Sequence, residues 1–157
     1  MNFNNFTIKS QEAVQEAVNL VQSRGQQAIE PEHLMAGLLK VGENVTNFIF
    51  QKLGINGQQI ETVLDRQIAS LPKVSGGEAY LSRSANEVLQ KAVEVSKELG
   101  DEYVSLEALL LALLNVKSTV ATILKDAGLT DKELRAAIQE LRQGQKVTSQ
   151  SSEDTYQ

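Results

Sequence analysis

The chain has 157 residues, which is enough for one domain with a buried core. The absence of cysteine excludes disulfides and thiolate chemistry, and a single histidine excludes most multi-histidine metal sites. The net charge of −5 argues against nucleic-acid binding, because an acidic surface repels phosphates.

Helical spacing of apolar residues, interrupted by caps and glycines, runs through both halves of the chain. In the first half it predicts four helices, at about 8–24, 31–40, 45–53 and 57–71. Gly25 and Gly54 fit the left-handed position that ends a helix. Pro31 suits a first helical turn, and Asn56 is a plausible N-cap.

The second half predicts four further helices. The first of them ends at Leu99 and Gly100, and its cap is either Ser84, in a capping box with Glu87, or Ser82. The other three helices end near residues 114, 128 and 142, and their predicted caps are Ser105, Ser118 and Thr130.

The two halves repeat one plan. The stretch IEPEHLMAGLL at 29–39 aligns with VSLEALLLALL at 104–114, so that Gly25 falls on Gly100 and Glu32 on Glu107. The second stretch is apolar on nearly all sides, and a single four-helix unit could not easily cover it. We therefore predict an all-α fold of eight helices, arranged as two four-helix repeats related by a pseudo-twofold axis.

The predicted domain covers residues 1–143, with repeats at about 6–70 and 80–143 and an exposed connector at 71–79. Residues 144–157 are polar and have little to bury, so we expect them to be flexible.

Two glutamates and the histidine are candidates for a role in a site. Glu32 and Glu107 each lie in the first turn of a short helix, where they either interact with the helix dipole or present a carboxylate to a basic group of a partner. His33 has no nucleophile motif beside it, so we expect a local hydrogen bond rather than catalysis.

A second candidate region is the loop of Asp101, Glu102 and Tyr103, which is either a solvated loop or the rim of a binding site. The helix at 85–99 has an apolar arc of about 160°, wider than one core contact usually needs. Leu99 stands where the first half has Arg24, which adds apolar surface. Together these features favour a trough that accepts the side chains of a peptide.

The sequence contains no phosphate-binding glycine loop, no nucleophile elbow and no carboxylate pair at an active-site spacing. No apolar run approaches the roughly 20 residues that cross a bilayer, and the N-terminus lacks the layout of a signal peptide. We therefore predict a cytoplasmic, monomeric binding module without catalytic activity, metal or cofactor.

Five stretches carry a resemblance to a known family, and they are FTIKSQEAVQEA, IEPEHLMAGLL, LGINGQQIETVL, SLPKV and RQGQKVTSQSSEDTYQ. With the doubled helical plan, they resemble the Clp N-terminal domain, the double repeat that precedes the ATPase modules of Clp proteins. The connector and the last stretch are most similar to the ClpB branch, whose members are disaggregase chaperones.

The resemblance implies a parent protein that binds ATP in two further modules, forms a homohexamer and works with the DnaK chaperone system. It implies that this domain recognises exposed hydrophobic segments of unfolded or aggregated polypeptides. A ClpC or ClpA type of relative would instead use the domain to dock adaptors or phosphoarginine, through glutamates that match Glu32 and Glu107.

The resemblance also implies site residues. Polar residues implicated in substrate handling match Thr7, Asp101 next to Gly100, and Glu107. The adjoining apolar groove maps onto Leu89, Val95, Tyr103 and Leu109. Lys91 departs from the apolar residue expected there, which puts the extent of the groove in question.

Overall fold

The computed structural model describes residues 2–156, and within them it contains eight α-helices, as predicted. The first repeat supplies α1 (Ile8–Ser23), α2 (Pro31–Val41), α3 (Glu43–Leu53) and α4 (Gly57–Ala69). The second supplies α5 (Arg83–Glu98), α6 (Leu106–Asn115), α7 (Thr119–Asp126) and α8 (Asp131–Arg142). Two short strands, β1 (Ala28–Ile29) and β2 (Tyr80–Leu81), and a final 3₁₀ turn (Ser152–Thr155) complete the described chain.

Short polar side chains begin most of these helices. Asn56, Ser105, Ser118 and Thr130 each accept a hydrogen bond from a backbone N–H in the first turn, as predicted. The open question at α5 is settled in favour of Ser82, which accepts from the Ala85 amide at 3.0 Å.

Strand pairing relates the two repeats by the predicted pseudo-twofold axis. Ile29 of the first repeat pairs with Leu81 of the second in a parallel bridge, and Phe6 pairs in the same way with Val104. These bridges are equivalent, because Phe6 and Leu81 precede the first helix of each repeat, whereas Ile29 and Val104 precede the second. Helix packing follows the same symmetry, since α3 of the first repeat packs on α8 of the second, and α7 of the second packs on α4 of the first. Each repeat therefore completes its core with elements of the other.

Helix α6 lies at the centre of this arrangement. Every residue from Leu106 to Leu114 is buried, because α2, α5, α7 and α8 pack around it. The prediction that the leucine-rich helix is covered on all sides is confirmed. No single helix of the described chain is long and apolar enough to cross a membrane, and the α6–α7 pair, which together reaches that length, is bent by 97°.

The structure corrects the expectation that the last segment has little to bury. Val147 is fully buried, and its carbonyl accepts a hydrogen bond of 2.8 Å from the Glu102 amide. The Gln150 carbonyl accepts a bond of 2.8 Å from the Ile8 amide. One apolar side chain and backbone pairing hold a segment whose composition is otherwise polar. The connector, in contrast, is exposed over residues 72–78, as expected.

Candidate functional site

A buried charge cluster brings together two of the predicted polar residues. The guanidinium of Arg142, at the end of α8, donates two hydrogen bonds to the Asp101 carboxylate, at 3.0 and 2.9 Å. Its Nε donates to Oε2 of Glu107 at 2.8 Å, and Nη2 donates to the Ser105 hydroxyl at 3.0 Å. The side chains of Asp101, Glu107 and Arg142 are at most 1% exposed.

Thr7, the third predicted polar residue, lies beside this cluster at the N-terminus of α1. Its hydroxyl accepts from the Ser10 amide and donates to Oε2 of Glu153 at 2.7 Å. The same carboxylate oxygen accepts from the Leu106 amide at 3.0 Å, and the Tyr156 hydroxyl donates to Oε2 of Glu107 at 2.8 Å. The final segment of the chain therefore covers the predicted polar site.

The cluster contains more negative than positive charge. Burial, reinforced by the neighbouring Glu107 carboxylate, raises the pKa of Glu153 to about 7. Burial also raises the pKa of the Tyr156 hydroxyl, and Glu107 raises it further. Burial acts to lower the pKa of Arg142, but Glu107 and Asp101 outweigh it and raise the pKa above its usual value. Arg142 is therefore a permanent cation that holds the cluster together.

The predicted apolar groove along α5 needs correction. Leu89, Val95 and Leu109 are fully buried, so they cannot line a surface trough. The wide apolar arc of α5 exists because this helix packs on α6, whose leucines demand cover on every side. Tyr103 is the predicted groove residue that reaches the surface in part, and Lys91 lies near Glu94 at 3.9 Å. Whether any of these residues contacts a ligand stays a prediction.

The concave surfaces of the described chain lie away from α5, and two of them are candidate binding surfaces. A cavity of about 450 Å³, here called the junction cavity, lies between the repeats, and its lining includes Val45, Phe48, Leu106, Leu141, Glu153 and Tyr156. A wider depression of about 910 Å³ lies among α2, α3 and α4 and carries the acidic side chains of Glu43, Glu61 and Asp65. Sequence reasoning missed the junction cavity, because the residues that line it are distant in the chain.

Glu32, the secondary candidate, differs from its counterpart Glu107. It is 7% exposed, and burial raises the pKa of its carboxyl group. The position on α4 that matches Arg142 is Ile68, as judged from the matching caps Asn56 and Thr130. The first repeat therefore lacks the internal cation that neutralises Glu107 in the second.

His33 makes the local contacts that the sequence predicted. Its Nδ1 accepts from the Glu30 amide at 2.9 Å, so Nε2 carries the proton and donates to Oε1 of Gln26 at 2.7 Å. Gln26 in turn donates to the Ile68 carbonyl at 2.7 Å. This network joins the starts of β1 and α2 to the end of α4, and it requires a neutral imidazole.

His33 predicts a loss of stability in mild acid. Burial lowers the pKa of the imidazole from its usual 6.5 to about 4, so the unfolded chain binds the proton more tightly. The free energy of unfolding should therefore fall as the pH drops from 6.5 towards 4, by up to about 3 kcal/mol from this residue. Denaturant titrations at several pH values measure the effect. They are best made in a Glu153→Gln background, since Glu153 contributes a slope of opposite sign over the same range.

The control is His33→Gln in the same background, which should flatten the pH dependence whatever its effect on stability at pH 7. An equally steep dependence in both proteins would contradict the assignment to His33.

The intertwined pair of four-helix repeats defines a helical double-repeat domain. Comparison with known proteins identifies the same class of domain. The chain matches the family described as "Clp repeat (R) N-terminal domain" over residues 5–127. Over 157 residues it is 80% identical to the chaperone protein ClpB of Bacteroides thetaiotaomicron, and over 156 residues 52% identical to that of Porphyromonas gingivalis. These alignments cover 100% and 99% of the chain but only 18% of each relative.

Solved structures share the fold. The N-terminal domain of Hsp104 from Candida albicans has a TM-score of 0.83 at 22% identity, with 96% of this chain and 99% of that one covered. The N-terminal domain of the ClpV1 ATPase from E. coli has a TM-score of 0.77 at 22% identity, with coverages of 90% and 88%. The chain belongs to the Clp repeat N-terminal domain family, and the two curated relatives named above are ClpB chaperones.

Proposed function

We propose that this chain is the substrate-recognition domain of a ClpB-type disaggregase, and that it binds exposed hydrophobic segments of unfolded or aggregated proteins. The observation that carries the proposal is the 80% identity to a ClpB chaperone over the whole chain. The chain spans about a fifth of that relative's length, and we assign the rest of the activity to further modules of a ClpB-type protein. Those modules would bind ATP, form a cytoplasmic homohexamer and cooperate with the DnaK system. This domain by itself would be a monomer that neither catalyses a reaction nor needs a cofactor.

The junction cavity is the surface best suited to this role. Half-buried Phe48 lies where a client side chain could reach it, while Val45 and Leu141 add apolar lining but are at most 4% exposed. Such a surface has no deep anchor pocket, so it should bind many sequences weakly. Six tethered copies would raise the effective concentration near the ring without strong single contacts.

An NMR titration with an unfolded, apolar-rich polypeptide tests the proposal. We expect chemical shift changes around Phe48, Val45 and Leu141, and Phe48→Asp should weaken binding by about tenfold, as the loss of one buried aromatic contact does. Tyr80→Asp is the matched control, because Tyr80 is exposed on β2, outside the cavity lining. Equal weakening by both substitutions, or shift changes scattered over the whole surface, would count against this site. Absent binding would count against the function.

Docking of phosphoarginine has less support from this structure. The Arg142 guanidinium already binds the Glu107 carboxylate, and neither Glu107 nor Glu32 is more than 7% exposed. The double substitution Glu32→Ala, Glu107→Ala would abolish phosphoarginine binding if that role were correct.

A further inference from the structure

The C-terminal segment makes contacts that its polar composition did not predict. Four points of attachment join it to the body of the domain, through Val147, Gln150, Glu153 and Tyr156. Val147 buries its side chain and donates its amide to Oδ1 of Asp101 at 3.0 Å, and the Gln150 side chain donates to the Asn4 carbonyl at 3.0 Å. The side chains of Glu153 and Tyr156 enter the buried charge cluster.

These last two side chains occupy a cradle formed by Thr7, the first turn of α6 and Glu107. The Thr7 hydroxyl and the Leu106 amide converge on one oxygen of Glu153, and three residues later the Tyr156 hydroxyl reaches Glu107. The Leu106 amide opens α6, so it has no acceptor within its own helix. The cradle therefore has the chemistry to bind a carboxyl side chain that is followed three residues later by a tyrosine hydroxyl.

The same contacts leave the segment poised for release. Within the described chain, Oε1 of Glu153 and Oε1 of Glu107 are both buried without a hydrogen-bond partner. An unsatisfied buried polar atom weakens the closed state relative to one that water can reach. Glu153 also faces Glu107 of α6, with Arg142 of α8 shared between Glu107 and Asp101. Lys9, Asp154 and Tyr156 line the adjoining cavity.

We propose that residues 147–156 form a latch that fills the cradle in cis, and that a polypeptide segment with a carboxyl side chain followed three residues later by a tyrosine displaces it. Because Glu153 and Tyr156 also line the junction cavity, release of the latch would open that cavity into a groove. The identification of the displacing segment as a client rests on the proposed function. The existence of the latch does not.

The latch should close more firmly in mild acid. The pKa of Glu153 is raised from 4.5 to about 7 in the closed state, so that state binds a proton more tightly than the open one. As the pH rises through this range, the ratio of closed to open molecules falls by up to about tenfold per pH unit. Above pH 7 the ratio stays constant. Glu153→Gln, which keeps an acceptor for Thr7 and Leu106, should remove this dependence.

Hydrogen exchange of the Leu106 amide measures the latch directly, since its acceptor is Glu153. In the full 157-residue chain we expect this amide to be protected. The double substitution Glu153→Ala, Tyr156→Ala should reduce its protection factor by at least about tenfold, while the amides in the middle of α6 stay protected. Asp126→Ala is the control, because this carboxylate at the end of α7 is exposed and lies outside the latch and the junction cavity, so it should leave the protection unchanged. An unprotected Leu106 amide in the unmodified chain, or an equal loss in the control, would overturn the proposal.

Binding in trans supplies the second readout. A labelled peptide KVTSQSSEDTYQ, which copies residues 146–157, should bind the open double variant about tenfold more tightly than the unmodified chain, where the latch competes. The same peptide with its glutamate replaced by alanine should lose this binding. Equal affinity for both proteins would overturn the proposal.

The two proposals fail in different ways. If the open variant binds the copied peptide but no unfolded client, the latch stands and the proposed function falls. If clients bind at the junction cavity while the Leu106 amide is unprotected, the function stands and the latch falls.

Discussion

Replacing Arg142 with methionine should lower the free energy of unfolding by about 3–5 kcal/mol, the cost of breaking a buried ion pair from one side. Asp101 and Glu107 would both remain in the interior, each without the cation that now binds it. Methionine keeps most of the apolar length of the side chain, so the loss measures charge rather than volume. Denaturant unfolding at pH 7 gives the value.

Arg135→Met provides the matched comparison on the same helix. Arg135 also binds two carboxylates, Glu98 at 2.8 Å and Asp131 at 2.9 Å, but these three side chains are 33–48% exposed. Water screens such pairs, so this substitution should cost less than about 1 kcal/mol. Adding Asp101→Asn and Glu107→Gln to Arg142→Met should recover part of the loss, because the stranded charges are removed. Similar small losses for both arginines would show that the buried cluster does not stabilise the fold.

Replacing Gly37 with alanine is expected to destabilise the domain by about 3 kcal/mol, at the upper end of overpacking effects. A Cβ atom at this position would lie 2.2 Å from the Ala13 carbonyl oxygen and 3.3 Å from the Ala17 amide nitrogen. Both atoms belong to the backbone of α1, so relief requires α1 and α2 to move apart. Thermal or denaturant unfolding measures the change.

The sign of this effect separates packing from helix propensity. Glycine to alanine in a helix that is free to accept it stabilises by up to about 1 kcal/mol. Gly57→Ala is the control, because its Cβ would meet only the ring of Phe50, at 3.0 Å, and a ring can turn aside. We expect that substitution to be close to neutral. A stabilised Gly37→Ala protein would mean that the two helices are not in such close contact.

The repetition in the sequence predicted most of the fold. Apolar spacing located the eight helices, and the matched phrases around Glu32 and Glu107 predicted the pseudo-twofold arrangement. These predictions succeed because they depend on local rules, namely one apolar face per helix and a polar cap at its start. The burial of α6 follows in the same way, since a helix with leucine on every side must be covered on every side.

The site was harder to predict. Thr7, Asp101 and Glu107 do lie together, but they are buried beneath a segment that composition assigned to solvent. The signals that could have indicated otherwise are small, since they consist of Val147 and Tyr156 within a polar stretch. The resemblance maps a groove onto Leu89, Val95 and Leu109, which are fully buried. The apolar arc of α5 favoured the same trough, because apolar periodicity does not distinguish a helix face that meets another helix from one that meets a ligand.

By itself the sequence determined the helices, their duplication and the family, because these depend on short-range patterns and each repeat contains the complete pattern. Only the tertiary structure decided which charges meet, since Arg142 reaches Asp101 and Glu107 across about forty positions of the chain. It also decided where the last segment lies, because one carboxylate finds its donors at Thr7 and Leu106, two residues that only the folded chain brings together.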